Sequence, residues 1–360
     1  MIRNYGLTWL FASTAALALG ACAPVPTITP TAASGRVAGR VAPPAGALAT
    51  PVVPPATQAA LVAKVAAATG KSPAALNALL DSAVVQQSIL NAISRPAEAK
   101  PWSQYRPIFV NPTRITEGIA FYQQHRALLQ QIAQQYGVPA QYIVAIIGVE
   151  TNYGANTGSY RVLDALTTLA FHYPPRAAFF QGELVALLEL PTAKLPGPIP
   201  DIYGSYAGAE GLVQFMPSSI RDFAVDADGD GHINLSASLP DAFASVANYF
   251  KQHGWQSGQP VAVLATRSTT AASPPTYQRV VPTTSLQTFG AEGYAPTTTT
   301  NPALPANLLT LAGVDGPEYW LTFQNFYVIT TYNHSPMYAL AVTQLAAAIA
   351  RGAATASNAP

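Results

Sequence analysis

The stretch Ala145-Ile-Ile-Gly-Val-Glu150-Thr-Asn-Tyr-Gly154 constrains this chain more than any other, because it sets a carboxylate where a soluble helix ordinarily sets an apolar residue. Pro139 suits the first turn of a helix, where its missing N–H costs nothing, and Gly154 can end the same helix. Ile143, Ile146, Ile147 and Glu150 then fall at i, i+3, i+4 and i+7, on the stripe that faces an interior. Desolvation disfavours an ionised carboxylate, so a Glu held there without a cationic partner has a raised pKa and stays protonated near neutrality. Such a carboxyl in a half-apolar cleft suits general-acid catalysis. The same spacing also fits a buried acid paired with an arginine, and spacing alone does not separate the two.

The first residues read as an address. Arg3 precedes an apolar run from Leu7 to Ala21 that is short for a bilayer span and closes on small residues, as in a signal peptide covering 1–21. Leu19-Gly-Ala-Cys22 resembles the processing site of bacterial lipoproteins, in which the cysteine is lipidated. Cys22 is the sole cysteine, so no disulfide can form within the chain, and a small buried cysteine is the other reading. Several acyl chains on Cys22 would anchor the protein stably to a membrane. Ala23, which is not an aspartate, points by the enterobacterial sorting pattern to the periplasmic face of the outer membrane. Residues 22–56 are rich in Pro, Ala, Val and Thr and read as a semi-rigid tether.

Charged residues make up 10% of the chain, against about 25% in an average soluble protein. The formal net charge of +1, which includes Arg3 of the leader, argues against a nucleic-acid partner. A surface polar through Gln, Asn, Thr, Ser and Tyr suits a neutral, hydroxyl-rich partner such as a glycan, and equally a secreted protein of no particular ligand. Neither G-x-S-x-G, H-E-x-x-H nor a Walker loop occurs, and His125, His172, His232, His253 and His334 lack metal-ligand spacing.

Two amphipathic helical patterns lie between Thr57 and Ser94, with Ser72 placed as an N-cap and Pro73 at the first helical position. Further helices are predicted over Ile115–Tyr136 and Val162–Phe171, and, after a break at Pro174-Pro175, through Leu190. Small residues between Gly204 and Gly211 permit close backbone approach, to a ligand or to another element. Asp226-Ala-Asp-Gly-Asp-Gly-His-Ile-Asn234 has acids at positions 1, 3 and 5 and Gly at 6, the first half of a calcium loop, although position 12 is Ala237. Asp241 opens a helix with the stripe Phe243, Val246, Ala247 and Phe250. Residues 266–316 read as a small, partly β accessory lobe, Asn325–Thr330 as a strand-like or buried segment, and Ser335-Pro336 as the start of a last helix through Leu345. The core would then span 57–265, completed by 317–351 and followed by a disordered tail at 352–360.

Ile146-Ile-Gly-Val-Glu-Thr-Asn-Tyr-Gly154, Leu163-Asp-Ala-Leu166, Phe171-His-Tyr-Pro174, Gly204-Ser-Tyr-Ala-Gly-Ala209, Gln214-Phe-Met-Pro-Ser-Ser219, Asp228-Gly-Asp-Gly-His-Ile-Asn-Leu235, Asn325-Phe-Tyr-Val-Ile-Thr330 and Tyr332-Asn-His-Ser335 together resemble the lytic murein transglycosylase B family, from about Tyr105 to Leu345. The resemblance implies a mainly α fold with a goose-type-lysozyme-like core. It implies Glu150 as catalytic acid and base, and Tyr105, Ser205, Gln214, Tyr249, Tyr332 and Tyr338 in a groove for peptidoglycan glycan strands. Arg176 matches one of two arginines that contact the substrate's peptides, the other being Pro175 here. A structural Ca2+ is implied on Asp226, Asp228, Asp230 and His232, with Asp241 closing a lengthened loop. Glu210 and Leu212-Val213 depart from the family's usual Met and Tyr-Gly. The implied reaction cleaves the bond between N-acetylmuramic acid and N-acetylglucosamine without water and leaves a 1,6-anhydro product. A hydrolytic muramidase using Glu210, or a non-catalytic wall-binding lipoprotein, are the alternatives.

Overall fold

The computed structural model describes residues 52–94 and 100–357. The leader, Cys22 and the tether up to Pro51 lie outside them. The packed body already begins within the stretch read as tether, since Val53 is buried and the Val52 carbonyl meets Nε2 of His172 at 3.2 Å.

Helices α1 (Pro55–Thr69), α2 (Pro73–Asp81) and α3 (Gln87–Ile93) occupy the stretch where two helices were predicted. The extra break has a tertiary cause. The amides of Val84 and Gln86 leave the helical ladder to bond Asp164 Oδ1 at 3.0 Å and Thr168 Oγ1 at 3.1 Å. Ser72 stands at the N-cap of α2 without a side-chain capping bond, while Pro73 takes the first helical position as predicted. Tyr105 lies inside a further helix, α4 (Trp102–Phe109). The single helix expected over Ile115–Tyr136 is α5 (Pro112–Gln124) and α6 (Arg126–Tyr136), parted at His125, and Gly137 ends α6 in the left-handed conformation.

Helix α7 (Ala140–Thr151) carries Glu150 and is buried on all sides from Ile143 to Val149. A helix apolar all round belongs in a core, so its interior stripe is not what distinguishes Glu150. Asn152 and Tyr153, both with positive φ, end the helix ahead of Gly154. Strand β1 (Tyr160–Arg161), α8 (Val162–His172) and α9 (Ala177–Glu189) follow, with β1 antiparallel to β2 (Tyr203–Gly204). Then come α10 (Pro217–Phe223) and α11 (Leu239–Gln252), whose N-cap Ser238 accepts the Asp241 amide through its side chain.

The accessory lobe is wider than expected. Strands β3 (Ala262–Arg267), β4 (Thr284–Ser285), β5 (Tyr294–Pro296), β6 (Pro305–Ala312) and β7 (Pro317–Thr322), with α12 (Leu286–Ala291) after β4, form an antiparallel sheet in the order β4-β6-β7-β3-β5. The boundary drawn at Gly316 falls inside the β6–β7 hairpin. The lobe has its own small core around Leu286, Phe289, Tyr294, Leu308 and Leu321.

Asn325–Thr330 is helical, within α13 (Gln324–Tyr332), and is buried as expected. The last helix, α14 (Pro336–Ser357), outruns its predicted end at Leu345 and takes in most of the residues read as a tail. Among the described residues α14 alone is long and apolar enough to cross a membrane, yet half of its apolar window is buried, and it packs along α7, α5 and α4. It is a core helix.

Candidate active site

Glu150 sits in the last turn of α7, where backbone carbonyls lose their helical partners. The Arg114 guanidinium donates to the Gly148 carbonyl, which also accepts the Asn152 amide at 3.2 Å, and Tyr153 Oη donates to the Arg114 carbonyl at 2.8 Å. The Tyr153 ring lies so close that a Cβ on Gly148 would come within 2.6 Å of it, which is why a glycine stands one turn into the apolar run. Thr151 Oγ1 reaches the Leu212 carbonyl at 3.0 Å, tying the helix to the loop that faces it.

That loop runs from Gly204 to Phe215 and is folded by two isolated bridges, Gly204 with Glu210 and Glu210 with Phe215. It is irregular backbone, and not the helix-packing segment its small residues also allowed. Gln214 takes a left-handed φ of 50°, a costly conformation for a non-glycine residue that clusters at functional sites. Its amide nitrogen bonds Thr157 O at 3.1 Å and Gly211 O at 2.9 Å, so the amide oxygen is the atom left to offer a ligand. Ser205 turns inward: its Oγ accepts the amides of Ala207 and Ala209 and shapes the loop.

Glu150 shares a small pocket with Gln214, Phe215, Met216, Ser219, Tyr249 and Tyr332. Tyr338, from the first turn of α14, donates to Glu150 Oε1 at 2.6 Å. Tyr332 donates to the Val213 carbonyl, and Tyr249 to the Thr331 carbonyl at 2.7 Å. The two tyrosine rings meet at 4.9 Å, so α11, α13 and the loop brace one another around the acid. Burial pushes the Glu150 carboxyl up to about 7, against the opposing pull of the Tyr338 hydrogen bond. Burial and the neighbouring Glu150 carboxylate both hold the Tyr338 phenol well above its ordinary value. The arginine-paired reading is not met. The salt bridges among the described residues are Arg161–Asp164 and Arg221–Asp222, and Arg114, beside the helix end, bonds a carbonyl.

The expected groove residues divide. Tyr249, Tyr332, Tyr338 and Gln214 gather at Glu150. Tyr105 is buried against Trp102 and Phe109, with its field reaching Tyr338. Arg176 lies outside the pocket wall, its guanidinium 4.4 Å from the Phe179 ring centre. Phe215, Met216 and Ser219 were not singled out, although Pro217, which suits a first helical position, marks the turn that places them. Glu210 is only 3% exposed, its Oε1 has no hydrogen-bond partner, and burial pushes its carboxyl up to about 8. It does not line the pocket that holds Glu150.

The acidic loop brings three of its five expected ligands together. Oxygens of Asp226, Asp228 and Asp230 lie within 4.8 Å of one another. Such a group repels itself unless a cation sits among it, and an oxygen-only set fits a hard cation such as Ca2+. Asp241 is not in the cluster: 1% exposed, it accepts Ala227 N at 2.9 Å and Asn234 N at 2.8 Å and clamps the ends of the loop. His232 contributes its amide to Asp230 at 2.8 Å. Its exposed residue borders a separate, mostly apolar cavity of about 760 Å³ with Lys71, Leu76, Leu188 and Ile199, away from the acid.

A family model described as Transglycosylase SLT domain matches residues 55–347. Membrane-bound lytic murein transglycosylase B of Escherichia coli strain K12 is 44% identical over 249 residues, which are 69% of this chain and 67% of that protein. The catenated form of lytic transglycosylase SltB1 from Pseudomonas aeruginosa superposes with a TM-score of 0.77 at 47% identity, covering 84% of this chain and 99% of that one. Escherichia coli lytic transglycosylase Slt35, in its complex with calcium, gives a TM-score of 0.74 at 39% identity over 82% of this chain and 93% of that one. With a family model matching most of its length and a relative 44% identical, the chain belongs to the transglycosylase SLT domain family, the lytic transglycosylases of murein.

Proposed function

We propose that the protein cleaves the β-1,4 bond between N-acetylmuramic acid and N-acetylglucosamine in peptidoglycan, with Glu150 as both acid and base. The neutral Glu150 carboxyl gives its proton to the glycosidic oxygen as the bond to the anomeric carbon breaks. The C6 hydroxyl of the same muramic acid then bonds to that carbon, and the Glu150 carboxylate takes the hydroxyl proton. The acid is restored, water is not consumed, and the product is a 1,6-anhydro sugar. The observation that supports this reading is that, among the described residues, Glu150 is the only acid on its pocket wall, its carboxyl pushed by burial up to about 7 and bonded by Tyr338. A hydrolase would need a second carboxylate there to direct water.

Mass spectrometry of fragments released from purified peptidoglycan tests it. Fragments one water lighter than reducing muropeptides are expected, with release falling at least 10²-fold in Glu150→Gln, in line with the worth of a general acid. Because the acid must be protonated, the rate should fall as pH rises through about 7. Reducing ends from the wild type would favour water as nucleophile and overturn the reading.

We infer further that Asp226, Asp228 and Asp230 hold a structural Ca2+, which would offset their mutual repulsion. We infer too that Cys22, at the end of the apolar leader, is lipidated and anchors the protein at the periplasmic face of the outer membrane through the Pro- and Ala-rich stretch that follows, in keeping with the membrane-bound relative.

A further inference from the structure

Helix α7 ends on two consecutive left-handed residues that are not glycine, Asn152 with φ of 52° and Tyr153 with φ of 57°. Side chains rarely tolerate this conformation, so the packing around these residues must hold it. What holds it comes from α5. The Tyr153 side chain lies between Gly118 of α5 and Gly148 of α7: a Cβ on the first would come within 2.4 Å of Tyr153 Oη, and on the second within 2.6 Å of the ring. Tyr153 Oη donates to the Arg114 carbonyl at 2.8 Å, and the Arg114 guanidinium donates back to the Gly148 carbonyl. Each side chain thus binds the other's backbone segment, in a reciprocal clasp between the two helices. Arg114 is itself held, since its amide donates to Oδ1 of the N-cap Asn111 at 2.9 Å and its guanidinium lies 5.7 Å from the Phe109 ring centre. Neither Arg114 nor Tyr153 lines the Glu150 pocket.

Glu150 and Thr151 lie between the two clasped points, Gly148 and Tyr153. Thr151 Oγ1 accepts the Gly154 amide at 3.1 Å and donates to the Leu212 carbonyl at 3.0 Å, so the same turn also ties down the loop that carries Gln214. Glu150 Oε1 meets Tyr338 of α14 at 2.6 Å. The last turn of a helix frays unless its carbonyls find partners, and a cation there also meets the negative end of the helix dipole. A reacting group misplaced by about 1 Å can cost about a hundredfold in rate. We infer that Arg114 and Tyr153 are positioning residues, which hold the end of α7 so that the Glu150 carboxyl stays against Tyr338 in the pocket. The inference rests on the role of acid and base given to Glu150 above.

The test is the pH–rate profile of the full chain on solubilised glycan strands, for Tyr153→Phe, Tyr338→Phe and the two combined. Tyr153→Phe keeps the ring between the two glycines and loses only the bond to Arg114. It should lower kcat about tenfold with KM little changed. It should also raise the pH at which the rate falls, because a carboxyl drawn off Tyr338 loses a bond to its ionised form. Tyr249 and Tyr332, the other titratable groups on the pocket wall, are held neutral by burial across this range. With Tyr338 already replaced, Tyr153→Phe should move that pH no further, since both changes break one bond. Arg114→Met should act as Tyr153→Phe does, and Arg114→Lys should recover part of the rate. Leu308→Ala, which weakens the core of the accessory lobe, should lower the thermal midpoint and leave the pH limb in place. An unchanged kcat and limb in Tyr153→Phe, a limb moved downward, or an additive shift in the combined variant would overturn the inference. An undiminished rate in Glu150→Gln, read separately, would overturn the proposed reaction and the inference with it.

Discussion

Glu150 and Tyr338 are 188 residues apart in sequence and 2.6 Å apart in space, and each sets the other's chemistry. The Tyr338 bond favours the ionised carboxylate, so Tyr338→Phe should raise the pH at which the rate falls by about one unit, the size of a charge-assisted bond. The pH–rate profile of the variant checks this, and a loss of rate at every pH without movement of the limb would instead mark Tyr338 as a substrate contact. Glu210 makes the opposite kind of residue, buried and unserved. Its carboxyl titrates near 8 in the folded chain and near 4.5 when unfolded, so between those values the folded state holds the extra proton. Stability contributed this way is complete below about 4.5 and is lost as pH rises to about 8, by up to about 5 kcal/mol. Glu210→Gln should therefore flatten the fall of the thermal midpoint over that window. Of the two acids, Glu150 was readable from its motif, whereas the isolation of Glu210 from the pocket depends on two bridges that no local spacing encodes.

At the scale of elements, the loop that carries Gln214 is fixed by how closely backbone can approach backbone. Gly158, with φ of +96°, packs so that a Cβ would lie 2.0 Å from the Gly204 carbonyl oxygen and 2.4 Å from the Ser205 amide. Gly158→Ala should cost about 2–4 kcal/mol in chemical denaturation and lower the rate with it, because neither backbone group can swing aside. Helix ends marked by a proline or a glycine were legible: the starts of α2 and α14 and the end of α6 stand where their signals lie. The errors occur where tertiary bonds override local preference. Asp164 and Thr168 pull the backbone out of helix ahead of α3, and Asn325–Thr330, rich in aromatic and β-branched residues, is helical because it packs inside the core.

For the whole molecule, the acidic loop should couple stability to Ca2+. At a concentration a hundredfold above its dissociation constant the ion should add about 2.7 kcal/mol, and a chelator should remove it. Differential scanning calorimetry would read that change, and Asp228→Asn should abolish it; a thermal midpoint indifferent to both would dismiss the ion. The clamp made by Asp241 changes what the loop's short ending means, since closure comes from backbone amides bound to a buried carboxylate. The sequence by itself determined the helical class, the place of Glu150 on its helix and the acidic loop, because periodicity, caps and closely spaced motifs act over a few residues and are written there. Only the tertiary structure decided that Tyr338 binds Glu150, that Glu210 stays out of the pocket and that Asp241 braces the loop. Those facts follow from how distant segments pack, and packing depends on the shape of the whole core.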